Sequence, residues 1–199
     1  MGSDIDGVIE VRPASGRWEA VAGLPGGALV RDRSSRECLF GYGGALQVDR
    51  PLFGARGIPE DASDAVPEED ELNHGHSYAT WAEVAAVDWD APVCDGPAAN
   101  HVGEWRPGPD GRLGLRAVRT LSDEVIDAAG ELFGEDLWPY EWPPGGEVVL
   151  DGAVFRPVTF TARMFAPPDE EPWAPVWTAM RGRAAAHGPE NVRLVVWFG

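Results

Sequence analysis

The sequence predicts an α+β fold, with a mixed, largely antiparallel sheet, hairpins, and about three to four short helices packed on the sheet. Three observations lead to that class. Strand-like segments outnumber helical ones, tight-turn signals recur between neighbouring strands, and no strand–helix–strand repeat of the kind that builds a parallel sheet is present. Ile5, Val8, Ile9 and Val11, with Asp4, Asp6, Glu10 and Arg12 interleaved, make the first strand. A turn at Pro13-Ala14-Ser15-Gly16 leads into a second strand from Arg17 to Val21. Ser34 to Tyr42 reads as a short helix with Cys38, Leu39 and Tyr42 on one stripe, stopped by Gly41, Gly43 and Gly44. From Arg50 to Leu72 the pattern is that of a loop.

Thr80-Trp81-Ala82-Glu83 is a capping box, in which a hydroxyl and a carboxylate satisfy the orphan amides of a helix start. That helix stops by Pro92. Trp105 to Val118 predicts a hairpin around Pro109-Asp110-Gly111, and Ser122 caps a helix over Asp123 to Phe133 closed by Gly134. Val148 to Phe165 predicts two strands joined at Asp151-Gly152, a dipeptide suited to the positive φ angles of a type I′ turn. The last helix runs from Pro175 to His187, with Val176, Trp177, Met180 and Ala184 at helical spacing. Val192 to Phe198 is almost continuously apolar, as expected of a strand buried on both faces.

The chain has 199 residues, 44% of them hydrophobic and nine of them Trp, enough for a real core. It predicts one domain over 1–199, with 54–73 an acidic loop or lid. The net charge is −17, and all 16 basic side chains are arginine. Without lysine there is no Schiff base to pyridoxal phosphate and no P-loop lysine. Gly41-Tyr42-Gly43-Gly44-Ala45-Leu46 begins like a dinucleotide fingerprint but has Leu46 where the third glycine belongs, so NAD is not expected. The acidic balance argues against direct nucleic-acid binding. No uncharged apolar run approaches the roughly 18 residues of a membrane span, and no basic segment followed by an apolar one opens the chain. A cytoplasmic protein with Cys38 and Cys94 reduced is the expectation.

Candidate chemistry centres on His74-Gly75-His76. In an extended strand, residues two apart share a face, so both imidazoles can reach one ion. Asp4 and Asp6 have the same spacing on the first strand. Such a mixed nitrogen–oxygen set suits a divalent Zn, Mn, Fe or Ni ion; the alternatives are a pair of surface or helix-capping histidines, or catalysis without metal with His74 or His76 as general base. Arg56, followed by Glu60 and Asp61, either grips an anionic group or neutralises its acidic neighbours. The segment Leu137-Trp138-Pro139-Tyr140-Glu141-Trp142-Pro143-Pro144 either offers a ligand platform or folds back over a core edge. Trp173 and Trp177 are expected as core anchors.

At four separated places the chain resembles a family of largely uncharacterised proteins from actinobacteria and phages. Met1-Gly2-Ser3-Asp4-Ile5-Asp6 is similar to that family's opening M-G-C-D-I-H, and Arg56-Gly57-Ile58-Pro59-Glu60-Asp61-Ala62-Ser63 to its R-G-(L/I)-P-x-D-x-S. His74-Gly75-His76-Ser77-Tyr78 resembles H-S-H-S-W, and Val192-Arg193-Leu194-Val195-Val196-Trp197-Phe198 resembles the terminal V-R-(L/I)-V-(F/W)-(W/F)-F. Ser3 and Asp6 replace a cysteine and a histidine, shifting any N-terminal ligand set toward oxygen. The resemblance implies that the first strand, the Arg56 loop and the histidine pair are used together, without naming an activity.

Two functions follow as expectations. One is a small enzyme for metal-assisted hydrolysis or transfer on a small anionic molecule. In it Asp4, Asp6, His74 and His76 hold the metal, Arg56 binds the anion, and Asp61 serves as base or positions a ligand. The other is an acidic interaction protein, a DNA mimic or defence-related inhibitor, whose partner is a basic protein that meets the acidic run over 60–71.

Overall fold

The structure is a computed structural model and describes residues 4–24, 33–44, 46, 48–134 and 137–199. In chain order the elements are β1 (Ile5–Val11), β2 (Glu19–Gly23), α1 (Arg33–Phe40), β3 (His74–Thr80), α2 (Trp81–Ala85), β4 (His101–Pro107), β5 (Leu113–Thr120), α3 (Asp123–Phe133), β6 (Val148–Leu150), β7 (Ala153–Pro157), α4 (Ala162–Phe165), α5 (Ala174–His187) and β8 (Val192–Phe198). The class is α+β, and every strand pair is antiparallel. The strands form two four-stranded sheets, where the sequence suggested one. They belong to two compact units, Met1–Val93 with Thr161–Gly199, and Cys94–Phe160.

In the first unit the strand order is β2-β1-β8-β3, so the apolar run of β8 lies between two partners. Its side chains alternate. Val192, Leu194, Val196 and Phe198 enter the core with Ile5, Ile9 and Val11 of β1, while Arg193, Val195 and Trp197 face the other way. Phe40, at the end of α1, sets its ring 6.0 Å from Phe53, 6.2 Å from Trp173 and 6.3 Å from Phe198. Trp173 stacks on Trp177 one helical turn later at 5.0 Å, and both are buried anchors as expected. Burying such side chains contributes about 1.5–3 kcal/mol each.

The boundaries have local causes. Gly41, at φ +72°, ends α1 two residues short of Tyr42, which the sequence had placed on the helix stripe. Tyr42 nonetheless packs, stacked 4.5 Å from Phe198. Glu37, buried on α1, accepts hydrogen bonds from the amides of Gly44, Leu46 and Val48 and so pins the segment that follows. The capping box forms as expected: Glu83 N donates to Thr80 Oγ1 at 3.2 Å and Thr80 N to Glu83 Oε2 at 2.8 Å.

The second unit is ordered β5-β4-β7-β6, with α3 packing Val125 and Ala129 against Val102, Trp142 and Val148. Asp151 (φ 50°) and Gly152 (φ 72°) make the expected tight turn. The second of the two expected strands is cut short, because β7 stops at Pro157 and Ala162–Phe165 is a helical turn. Proline removes the amide that would extend the ladder. Ser122 occupies the N-cap position of α3, but its side chain makes no capping bond. Cys38 and Cys94 are both buried. Among the described residues, no helix is long and apolar enough to cross a membrane.

Candidate functional site

On the face of the first sheet away from its core, β1 and β8 place Glu10 directly opposite Arg193. Glu10 is 0% exposed and Arg193 4%. Arg193 Nε donates to Glu10 Oε2 at 2.6 Å, Nη1 donates to Asp61 Oδ1 at 2.7 Å, and Nη2 donates to the Asp61 carbonyl at 3.1 Å. The guanidinium also lies 3.9 Å over the Trp18 ring, whose Nε1 donates to Asp61 Oδ2 at 2.9 Å. The second oxygen of Glu10 accepts the Ser63 amide at 2.8 Å. Each buried charge is therefore paired and hydrogen-bonded, as burial of charge requires. A strand and a distant loop are tied together through one arginine.

Both residues assigned catalytic roles from sequence join such ties. Asp61 does not stand free as a base; the Arg193 guanidinium, with the Trp18 indole, holds its carboxyl below the usual carboxylate range against the opposing effect of partial burial. Arg56 Nη1 pairs with Glu83 Oε1 at 2.8 Å, and its guanidinium lies 5.4 Å from the Tyr78 ring centroid. Burial works to raise the Glu83 carboxyl, but the Thr80 amide and Arg56 outweigh it and leave Glu83 below its ordinary value. Arg56 is thus the outer member of a helix cap.

The histidines part company at Gly75. The pairing of β3 with β8 is irregular between His74 and Ser77, and Gly75 has φ +61°, so the strand carries a glycine bulge. His74 sits 5.5 Å from Tyr42, in the group that includes Phe198, whereas His76 stacks 6.1 Å from Trp197. Trp197 and Phe198 are consecutive on β8 and point to opposite faces. The two-residue spacing does not bring the imidazoles together, because the bulge inserts a residue into the alternation. Asp6 is exposed on β1 opposite Trp197, two strand spacings from β3, or about 10 Å. Asp4 hydrogen-bonds through its backbone to Gly199. Among the described residues no three of His, Cys, Asp or Glu are arranged to hold a metal ion.

His76 is the more unusual of the pair. It is 2% exposed, and among the described residues neither ring nitrogen makes a hydrogen bond of regular geometry. Burial pushes its pKa down, and the Glu69 carboxylate, the nearby Pro67 carbonyl and the Asp70 carboxylate oppose that only in part. The imidazole is therefore harder to protonate than a free one, and it packs beneath the acidic segment.

That segment is ordered and outward-facing. Asp61 and Ser63 tie it to β8 and β1, Gly57 N donates to the His76 carbonyl at 2.9 Å, and Asp70 Oδ1 accepts the amides of Leu72 and Asn73 at 2.7 Å each. Glu60, Asp61, Asp64, Glu68, Glu69, Asp70 and Glu71 are all exposed. An open cleft of about 520 Å³ lies beside it, lined by the 16–20 turn with Trp18 and by residues 61–65. Sequence reasoning missed Glu10, Arg193 and Trp18. The available signal was a single arginine inside an apolar run, since a charge on a doubly buried strand demands a partner. Ser3 lies outside the described residues.

Comparison with family models, with curated proteins and with solved structures finds no match to this chain.

Proposed function

We propose that this chain is an acidic interaction protein that presents the 60–71 segment to a basic protein. The observation that carries the reading is that Glu60, Asp64, Glu68, Glu69, Asp70 and Glu71 are exposed on a loop whose seventh carboxylate, Asp61, ties it to the buried Arg193–Glu10 pair. A loop held in one conformation loses little entropy on binding, and clustered like charge raises the rate of encounter with an opposite surface. The adjoining cleft offers the Asp64 carboxylate to an arginine or lysine side chain of such a partner. The enzymatic alternative, a metal held by Asp4, Asp6, His74 and His76 for work on a small anionic molecule, has less support. Its imidazoles lie on opposite faces and Arg56 is paired with Glu83.

Two variants of equal charge test the proposal. One neutralises Glu60, Asp64, Glu68, Glu69 and Glu71 to their amides, and the other does the same to the exposed Asp127, Glu131, Glu170, Glu171 and Glu190. The probe is a nona-arginine peptide, with binding followed by calorimetry at several salt concentrations. The loop variant is expected to bind at least about tenfold more weakly than the parent, with a shallower salt dependence, while the control changes little. Equal weakening in both would mean that only net charge matters, and the proposal would fail.

A further inference from the structure

The second unit carries a surface of a different kind. Trp138 is 47% exposed, Tyr140 51% and Ile126 38%, although Trp142 and Pro139 of the same aromatic segment are buried. Exposed aromatic and aliphatic groups gathered in one place mark interaction sites more often than isolated ones do. Here Ile126 and Trp138 frame a cleft of about 200 Å³ that Leu121 and Leu137 also line. Pockets for whole small molecules start at about 300 Å³, so this one suits a single large side chain.

Its rim is negative. Asp123 is exposed one helical turn before Ile126 on the same side of α3. Glu141 is exposed and fixed beside Trp138, whose amide donates to its Oε2 at 3.0 Å. From Thr120 to Phe155 the sequence has nine carboxylates and neither arginine nor histidine, and of the nine Glu147 is paired with the flanking Arg156. A second copy of the chain, itself at −17, would bring like charge to the same rim.

We infer that the cleft between α3 and the Trp138 segment receives one large aliphatic or aromatic side chain of a cationic peptide segment, with flanking arginine or lysine residues set against Asp123 and Glu141. The apolar anchor supplies burial at the centre and the charges fix its register, the usual division between the core and rim of an interface. This surface is separate from the 60–71 loop and recognises a mixed apolar–cationic sequence, not charge alone.

The test is a titration of isotope-labelled protein with the peptide acetyl-Arg-Gly-Phe-Gly-Arg-amide, followed by the Ile126 methyl and Trp138 indole resonances. Saturable shifts at both are expected. Affinity should drop at least about tenfold when the probe's Phe becomes Gly, or when the protein carries Ile126→Ser or Trp138→Ala with unchanged melting. Asp123→Asn with Glu141→Gln should weaken binding several-fold and flatten its salt dependence, since glutamine keeps an acceptor for the Trp138 amide. The inference is overturned if the shifts never saturate, if Trp138→Ala binds unchanged, or if a probe with Glu in place of Arg binds as tightly. Shifts confined to 60–71 would overturn it while leaving the loop proposal intact. Sedimentation that reveals a dimer abolished by Ile126→Ser would overturn it in favour of a second copy as the occupant.

Discussion

Arg193 connects more of the first unit than any neighbour of its size suggests. Its three nitrogens reach Glu10 on the adjacent strand and Asp61 on the loop, and its plane covers Trp18. A buried pair of this sort adds little over a well-packed apolar pair, yet breaking one half is costly because the other charge stays buried. Arg193→Met is therefore expected to lower unfolding free energy by about 3–5 kcal/mol in urea titrations, from the stranded Glu10 carboxylate. Adding Glu10→Met should recover most of that loss. A double variant as unstable as the single one would show that the cost lies in Asp61 and the loop, not in Glu10. The pairing was hidden in the sequence because its two halves are 183 residues apart, and only strand register brings them face to face.

At the scale of elements, the local signals were legible where a short motif sets its own geometry. The capping box of α2, the Asp151-Gly152 turn and the apolar run of β8 each appear where residue chemistry placed them. The histidine pair was misjudged in its geometry because the two-residue rule presumes an unbroken pleat, and Gly75 breaks it. That glycine is constrained twice over. An added Cβ would lie 2.4 Å from Tyr42 Cε2 and 2.8 Å from Phe198 Cδ2, and the positive φ disfavours any L side chain. Gly75→Ala should cost at least about 1–2 kcal/mol in chemical denaturation from the backbone alone. It should also shift the Tyr42 and His74 ring resonances as the bulge re-forms; an alanine variant of parental stability and spectrum would show that the bulge is not held by Gly75.

For the whole molecule, charge and protonation govern stability together. His76 and His101 are both held below the ordinary imidazole value by burial. As pH falls through about 6.5 the unfolded chain takes up protons that the native histidines still refuse, so stability present above that pH is lost on the way down. The loss should end once the native histidines protonate. Carboxylates held low by arginine, Asp61 and Glu104 among them, then add a second loss as pH falls through the carboxylate range. Urea midpoints measured between about pH 7.5 and 5.5 should fall in the parent and fall less in His76→Phe, which keeps a ring against Trp197. A slope unchanged in that variant would remove His76 from the account. Composition had made the acidity plain, but not where it is displayed, because exposure of the 60–71 carboxylates depends on ties to β1 and β8.

The place of β8 at the middle of its sheet also sets an order of assembly. As the chain leaves the ribosome, β1 and β3 emerge early and wait, each with an edge open, for a strand that follows the other described elements. The residues of Cys94–Phe160 are contiguous and can pair their own four strands during that interval. Until translation reaches Val192, β1, paired on one side with β2, and β3 keep edges open to chaperones and to other nascent chains.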